Sequence, residues 1–159
     1  MESESLFNAI RNGDAEEVKA VLNTHPEHID AVDARGSSPL LLASYYGHSA
    51  ICDLLIANGA KINAKDASGN TALMGVCFKG YTEVAKLLVD NGADVNIQNF
   101  NGATALIYAA TFNQKELVEL LLAHNADPSI KDQRGLKATD HARMQGLNQI
   151  EKVLQDASA

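Results

Sequence analysis

Four glycines, Gly36, Gly69, Gly102 and Gly135, stand 33 residues apart, three intervals in succession. A fixed period of this length means that the chain is assembled from units, each too small to close a core of its own, so that neighbours must cover one another. A similar phrase follows each glycine: GSSPLLLA (36–43), GNTALMGV (69–76), GATALIYA (102–109) and GLKATDHA (135–142). A second phrase keeps step with the first: AICDLLIANGAKIN (50–63), EVAKLLVDNGADVN (83–96) and ELVELLLAHNADPS (116–129). The full units are 33–65, 66–98 and 99–131, and a shorter one, 132–159, closes the chain. Before Asp33, SLFNAIRNGDAEEVKAVLN (5–23) matches the helical part of a unit, with Gly13 in the place of Gly47. Its phase is displaced by one residue, so THPEHIDAV (24–32) is a longer connection. The first unit, about 4–32, and the last are caps: Gln155 stands where Ile56, Val89 and Leu122 are apolar, as a terminal unit's outer face requires.

The unit 66–98 shows how the period works. Thr71 suits an N-cap, and in the unit before it Ser38 does the same with Pro39 at the first helical position. A helix is predicted over roughly 72–79 and ends at Gly80, where left-handed backbone turns the chain. Thr82 is expected to start a second helix over roughly 83–90, with Val84, Leu87 and Leu88 on one face. Gly92 ends it, and ADVNIQNFNG reads as a β-hairpin-like loop running to the next unit. Gly36, Gly47, Gly69, Gly102 and Gly135 are turn residues by the same logic, and Asn113 and Asn125 replace glycine at two turns that tolerate asparagine. Helices this short are unstable alone because nucleation is costly, so they must be held by their neighbours.

The two phrases in register over three full units resemble the ankyrin repeat, with its T-P-L-H-x-A and later L-L-x-x-G-A-D-x-N. The resemblance covers nearly the whole chain and implies one domain, 1–159, folded as an all-α solenoid of five helix-turn-helix repeats. The turns TALM and ADPSIKD look like those of compact bacterial ankyrin proteins, and the repeat number and length are similar to the ankyrin-type cyclin-dependent kinase inhibitors. Leu41, Met74, Ile107 and Asp140 occupy the family's histidine position, so cohesion between repeats is expected to rest on apolar contact. The resemblance further implies a noncatalytic module that binds another protein on a concave face made of first-helix ends and hairpin tips. The positions here that match are Arg11, Tyr45, Tyr46, Phe78, Lys79, Phe112 and Met144 at the helix ends, and Arg35, Phe100 and Arg134 at the tips. Five of the eight Phe and Tyr residues fall on this set. The acidic Glu16, Glu17, Asp53, Glu83, Glu116 and Glu119 fall in or beside second helices, so the expected partner segment is apolar with some negative charge. Whether the aromatic stripe is binding surface or packing between repeats stays open at this stage.

Composition sets the outer limits. The net charge of −7 argues against nonspecific nucleic-acid binding. No run of 18 apolar residues exists and the amino terminus has no apolar core of signal type, so no membrane association is expected, and the cytosol, or a nucleus, is the expected compartment. A monomer is expected. Cys52 and Cys77 have no ligand spacing and read as buried thiols. His25 and His28 read as exposed loop residues, His48 as structural, and His141 as packed at a repeat interface. Asp33, Asp66 and Asp132 recur with the period and read as turn residues. No phosphate-binding glycine loop, nucleophile elbow or H-E-x-x-H is present, so neither catalytic residues, nor a metal, nor a cofactor is expected.

Overall fold

Among the described residues, ten short α-helices carry the chain, and none exceeds ten residues. The computed structural model describes residues 3–158; the outermost ends of the expected domain, 1–2 and 159, lie outside them. The helices pair as α1 (Glu4–Arg11) with α2 (Ala15–Thr24), α3 (Pro39–Tyr45) with α4 (Ser49–Ala57), and α5 (Ala72–Lys79) with α6 (Thr82–Asp90). The pairs α7 (Ala105–Thr111) with α8 (Lys115–Ala123) and α9 (Ala138–Met144) with α10 (Asn148–Ala157) complete the row. A 3-10 helix, Pro26–Asp30, occupies the connection after the first pair; that connection is not longer than the others, as the sequence suggested, because the extra residue lies in α2, which has 10 residues against 9 in α4, α6 and α8.

Local chemistry sets the ends of the helices. Ser38 Oγ, Thr71 Oγ1 and Thr104 Oγ1 accept hydrogen bonds from the backbone N–H groups of Leu41, Met74 and Ile107, capping α3, α5 and α7. Thr82 departs from expectation. It is the first residue inside α6, the cap position belongs to Tyr81, and the Thr82 hydroxyl reaches across to Glu116 of the next unit. The turns that close each pair are left-handed at the expected glycines and at Asn113 and Asn125.

The loops between units keep the paired ends of hairpins, but no residue in them forms a strand. Each is closed by one side chain. Asp33 Oδ1 accepts from the N–H groups of Arg35 and Ser37, and Asp66 Oδ1 from those of Ser68 and Asn70. Asn99 and Asp132 repeat the pattern, so asparagine fills the third of four places in an otherwise acidic series. Neighbouring tips are joined by single backbone bonds: Ala67 N–H to Arg35 O, Phe100 N–H to Ser68 O, and Gln133 N–H to Asn101 O.

The core is a set of ladders with the sequence period. Leu22, Leu55, Leu88, Leu121 and Leu154 form one, and Val18, Ile51, Val84, Leu117 and Ile150 another, all buried. Ala43, Val76, Ala109 and Ala142 are fully buried where first helices meet, and their small size lets the helices approach closely. The buried face of α6 differs from the one expected. Ala85 and Val89 join Val84 and Leu88 in the interior, while Leu87 is only half-buried. Flanking units cover α6 from two sides, which widens its apolar stripe beyond a single i, i+3, i+4 row. Successive first helices pack more closely than successive second helices, so the stack bends toward its first-helix side.

Gly102 and Gly59 separate two costs of replacing a turn glycine. Both have positive φ, but a Cβ on Gly102 would lie 2.8 Å from Gln133 N and 3.0 Å from Asp132 Cα, whereas one on Gly59 would meet nothing within 4 Å. Gly59→Ala is expected to cost about 1–2 kcal/mol, the left-handed strain alone. Gly102→Ala should cost at least about 1 kcal/mol more, because two backbones must part. Urea unfolding of both variants checks the difference.

Candidate functional site

Among the described residues, no further element covers the side of the stack formed by the last turns of the first helices and the loop tips beside them. The sequence places its bulkiest side chains there. Tyr45, Tyr46, Phe78 and Phe112 are 41–44% exposed, Met144 59% and Phe100 70%. Arg11, Arg35, Lys79 and Arg134 are exposed on the same side. These aromatic rings are therefore surface residues that also touch one another. Phe78 meets Phe112 edge-on at 4.8 Å, Tyr45 meets Tyr46 at 6.2 Å, and Lys79 Nζ sits 4.9 Å from the Tyr45 ring centre.

Five of the ten expected residues, Arg11, Arg35, Tyr45, Tyr46 and Phe78, line one cleft of about 540 Å³. Phe112 and Arg134 line a second of about 320 Å³. Lys79, Phe100 and Met144 line neither. Phe100 instead covers Gly69, where an added Cβ would come within 2.9 Å of its ring. Tyr108, which the sequence reading did not single out, borders both clefts. Its ring stacks on Phe112 and its hydroxyl accepts from Asn99 Nδ2 at 3.2 Å. Its alignment with Leu42 and Gly75 marked it as an enlarged side chain on this face.

Among the described residues, Arg11, Arg35, Lys79 and Arg134 form no ion pair with a carboxylate. Arg11 reaches only Asn8 Oδ1, at 3.0 Å. Two carboxylates that line the same cleft as Arg11 and Arg35, Asp33 and Asp66, each spend one oxygen on two N–H groups of their own loops. The face thus offers cations that extend outward and carboxylates that are tied down.

The histidines extend the sequence reading in one place and correct it in another. His141 lines the second cleft beside Ile107, Tyr108 and Phe112 of the preceding unit, and it also bonds Asp132 of its own unit, Nε2 to Oδ2 at 2.8 Å. Asp132 is pushed up by burial, but hydrogen bonds from His141 and from the Leu136 and Arg134 N–H groups outweigh this and hold it below the usual carboxylate range. His28 is buried rather than exposed, and it lies with His25 and Glu27 in a cluster whose donor atoms are within 4.8 Å of one another. Both thiols are buried, as expected. Burial pushes Cys52 up to about 11, against a hydrogen bond from Ser44 that lowers it, and pushes Cys77 up as well.

An ankyrin-repeat family model, describing three repeat copies, matches residues 2–66 and 62–132. The chain belongs to the ankyrin-repeat family. A similar protein is the BTB/POZ domain-containing protein 3 of Schizosaccharomyces pombe, 42% identical over 55 residues. That match spans 35% of this chain and 10% of the relative, so it bears on the repeats alone.

Two outcomes follow from the buried groups. A thiol reagent at about pH 8 should modify neither Cys52 nor Cys77 until the chain is unfolded, since the nucleophile is the thiolate; fast labelling of the folded chain would contradict the burial. The depressed Asp132 contributes stability that is complete above the unfolded carboxylate value and is lost as pH falls through its folded value. Asp132→Asn should therefore flatten the acid limb of the stability–pH curve below about pH 4, measured by urea unfolding.

Proposed function

We propose that this ankyrin-repeat chain is a noncatalytic interaction module that holds a segment of another protein along its first-helix face. The observation that supports the reading most is the row of half-exposed aromatic side chains beside cations without carboxylate partners. Large rigid rings at the surface gain most when a partner covers them, and aromatic and arginine side chains are the usual anchors of protein interfaces. Packing with the next unit leaves these rings about 40% exposed, and that remaining surface is what a partner would cover.

The matching segment is apolar with some negative charge. Its apolar side chains would lie over Tyr46, Phe78 and Phe112, and its carboxylates near Arg11, Arg35 and Lys79. The acidic second helices would repel the same segment, which favours one face over the other. No described helix is long and apolar enough to cross a membrane, and the acidic chain does not suit a nucleic-acid backbone. The module acts as a monomer in the cytosol or nucleus and masks or positions the segment it holds.

The test replaces Tyr46, Phe78 and Phe112 together by alanine. A partner isolated with the wild-type chain should bind the variant about 30-fold more weakly or worse, while circular dichroism and urea unfolding show a folded array. Unchanged affinity in the folded variant would remove the aromatic row from the interface.

A further inference from the structure

The connection after the first helix pair has the length of the others but a different conformation: the 3-10 helix Pro26–Asp30 stands where the other units turn through left-handed Gly59, Gly92 and Asn125. In the inner units an asparagine carries the lateral bond at this point: Asn63 Oδ1 accepts from Asp94 N–H, and Asn96 Oδ1 from Asp127 N–H, each at 2.8 Å. The first unit makes the equivalent bond with Asp30, whose Oδ1 accepts from Lys61 N–H at 3.1 Å. The side chains of His25, Glu27 and His28 take no part in that bond.

They form a compact group. In a 3-10 helix side chains at i and i+3 eclipse. His25, at the cap of the 3-10 helix, accordingly stacks on His28, with ring centres 4.9 Å apart and planes 12° from parallel. Glu27 Oε1 lies 3.0 Å from His25 Nδ1 and 3.8 Å from His28 Nε2. His28 is 8% exposed, yet neither ring nitrogen has a hydrogen-bond partner among the described residues. Nδ1 is buried without one, and Nε2 stands too far from the carboxylate. Nε2 is therefore the nitrogen open to an added ligand, on the side of Glu27 and His25, while Nδ1 faces the interior.

We propose that His25, Glu27 and His28 form a binding site for a divalent transition-metal ion, with Zn²⁺ as the best fit. Two imidazoles and one carboxylate suit zinc and its neighbours rather than magnesium or calcium. Donors about 2.0–2.1 Å from a tetrahedral ion stand about 3.3 Å from one another, between the two distances found here. The rings must tilt out of their parallel stack for both lone pairs to converge. His25, whose side chain is 49% exposed, has room to do so. Three protein donors leave a fourth position for water. The ion would tie the end of α2 to the 3-10 helix and brace the amino-terminal cap.

The tag-free full chain, stripped of metal, is titrated with Zn²⁺ by calorimetry at about pH 7.5, where imidazole is neutral. Binding of about one equivalent with micromolar affinity is expected, with weakening of about tenfold or more in each of the surface variants His25→Ala and Glu27→Gln. Circular dichroism confirms that both variants fold, which avoids reliance on the buried His28. Affinity weaker than about 1 mM for the wild type, or equal affinity in the folded variants, would overturn the site.

Discussion

The structure depends on the lateral packing of one first helix on the next. Helices of seven to ten residues cannot persist in water by themselves, since the cost of nucleation is never recovered over so few hydrogen bonds. Here each is held by the unit before it and the unit after it. Small side chains at Ala43, Val76, Ala109 and Ala142 bring the first helices together, and the Leu55, Leu88, Leu121 and Leu154 ladder fills the space behind them. The same requirement explains the punctuation. Every unit must reverse direction twice within 33 residues, so tight left-handed turns recur at fixed places, and an Asp or Asn side chain closes every loop without needing a strand partner.

Close stacking on one side also determines where the surface is left open. The ends of the first helices and the tips of the loops line up along the bend. Their side chains are not needed for the core, so residue choice there is free to serve something else. The chain has put six of its eight Phe and Tyr residues on this side, Tyr108 among them, with four cations that no described carboxylate pairs with. Carboxylates are present in the same loops, but one oxygen of each is engaged by two loop N–H groups. An acidic molecule thereby shows a face whose outward-reaching groups are aromatic and basic.

Much of this was legible because periodicity turns one local reading into four. The 33-residue glycine spacing located the turns, Ser38, Thr71 and Thr104 located the caps, and the repeated leucines located the core. What was missed depended on contacts between units, which a single unit's pattern does not contain. Leu87 looked like a core residue by helical spacing, but burial from two sides favoured Ala85 and Val89. Thr82 looked like a cap, but its hydroxyl is taken by Glu116 in the neighbouring unit. His28 looked exposed because it lies in a loop with proline, and only the eclipsed geometry of the 3-10 helix stacks it beneath His25. Tyr108 was passed over because its importance lies in bordering two clefts, a property of the assembled face. The proposal that this face binds a partner rests on the placement of Arg11, Arg35, Tyr45, Tyr46 and Phe78 along one cleft.

The most direct measurement is hydrogen exchange of the full chain, free and loaded with a protein partner isolated on it. The account predicts slowed exchange at the amides around residues 45–47, 78–80 and 111–113 and at the loop tips, with the outer helices α4, α6 and α8 unchanged. Protection confined to those outer helices, with the first-helix ends exchanging as in the free chain, would contradict it.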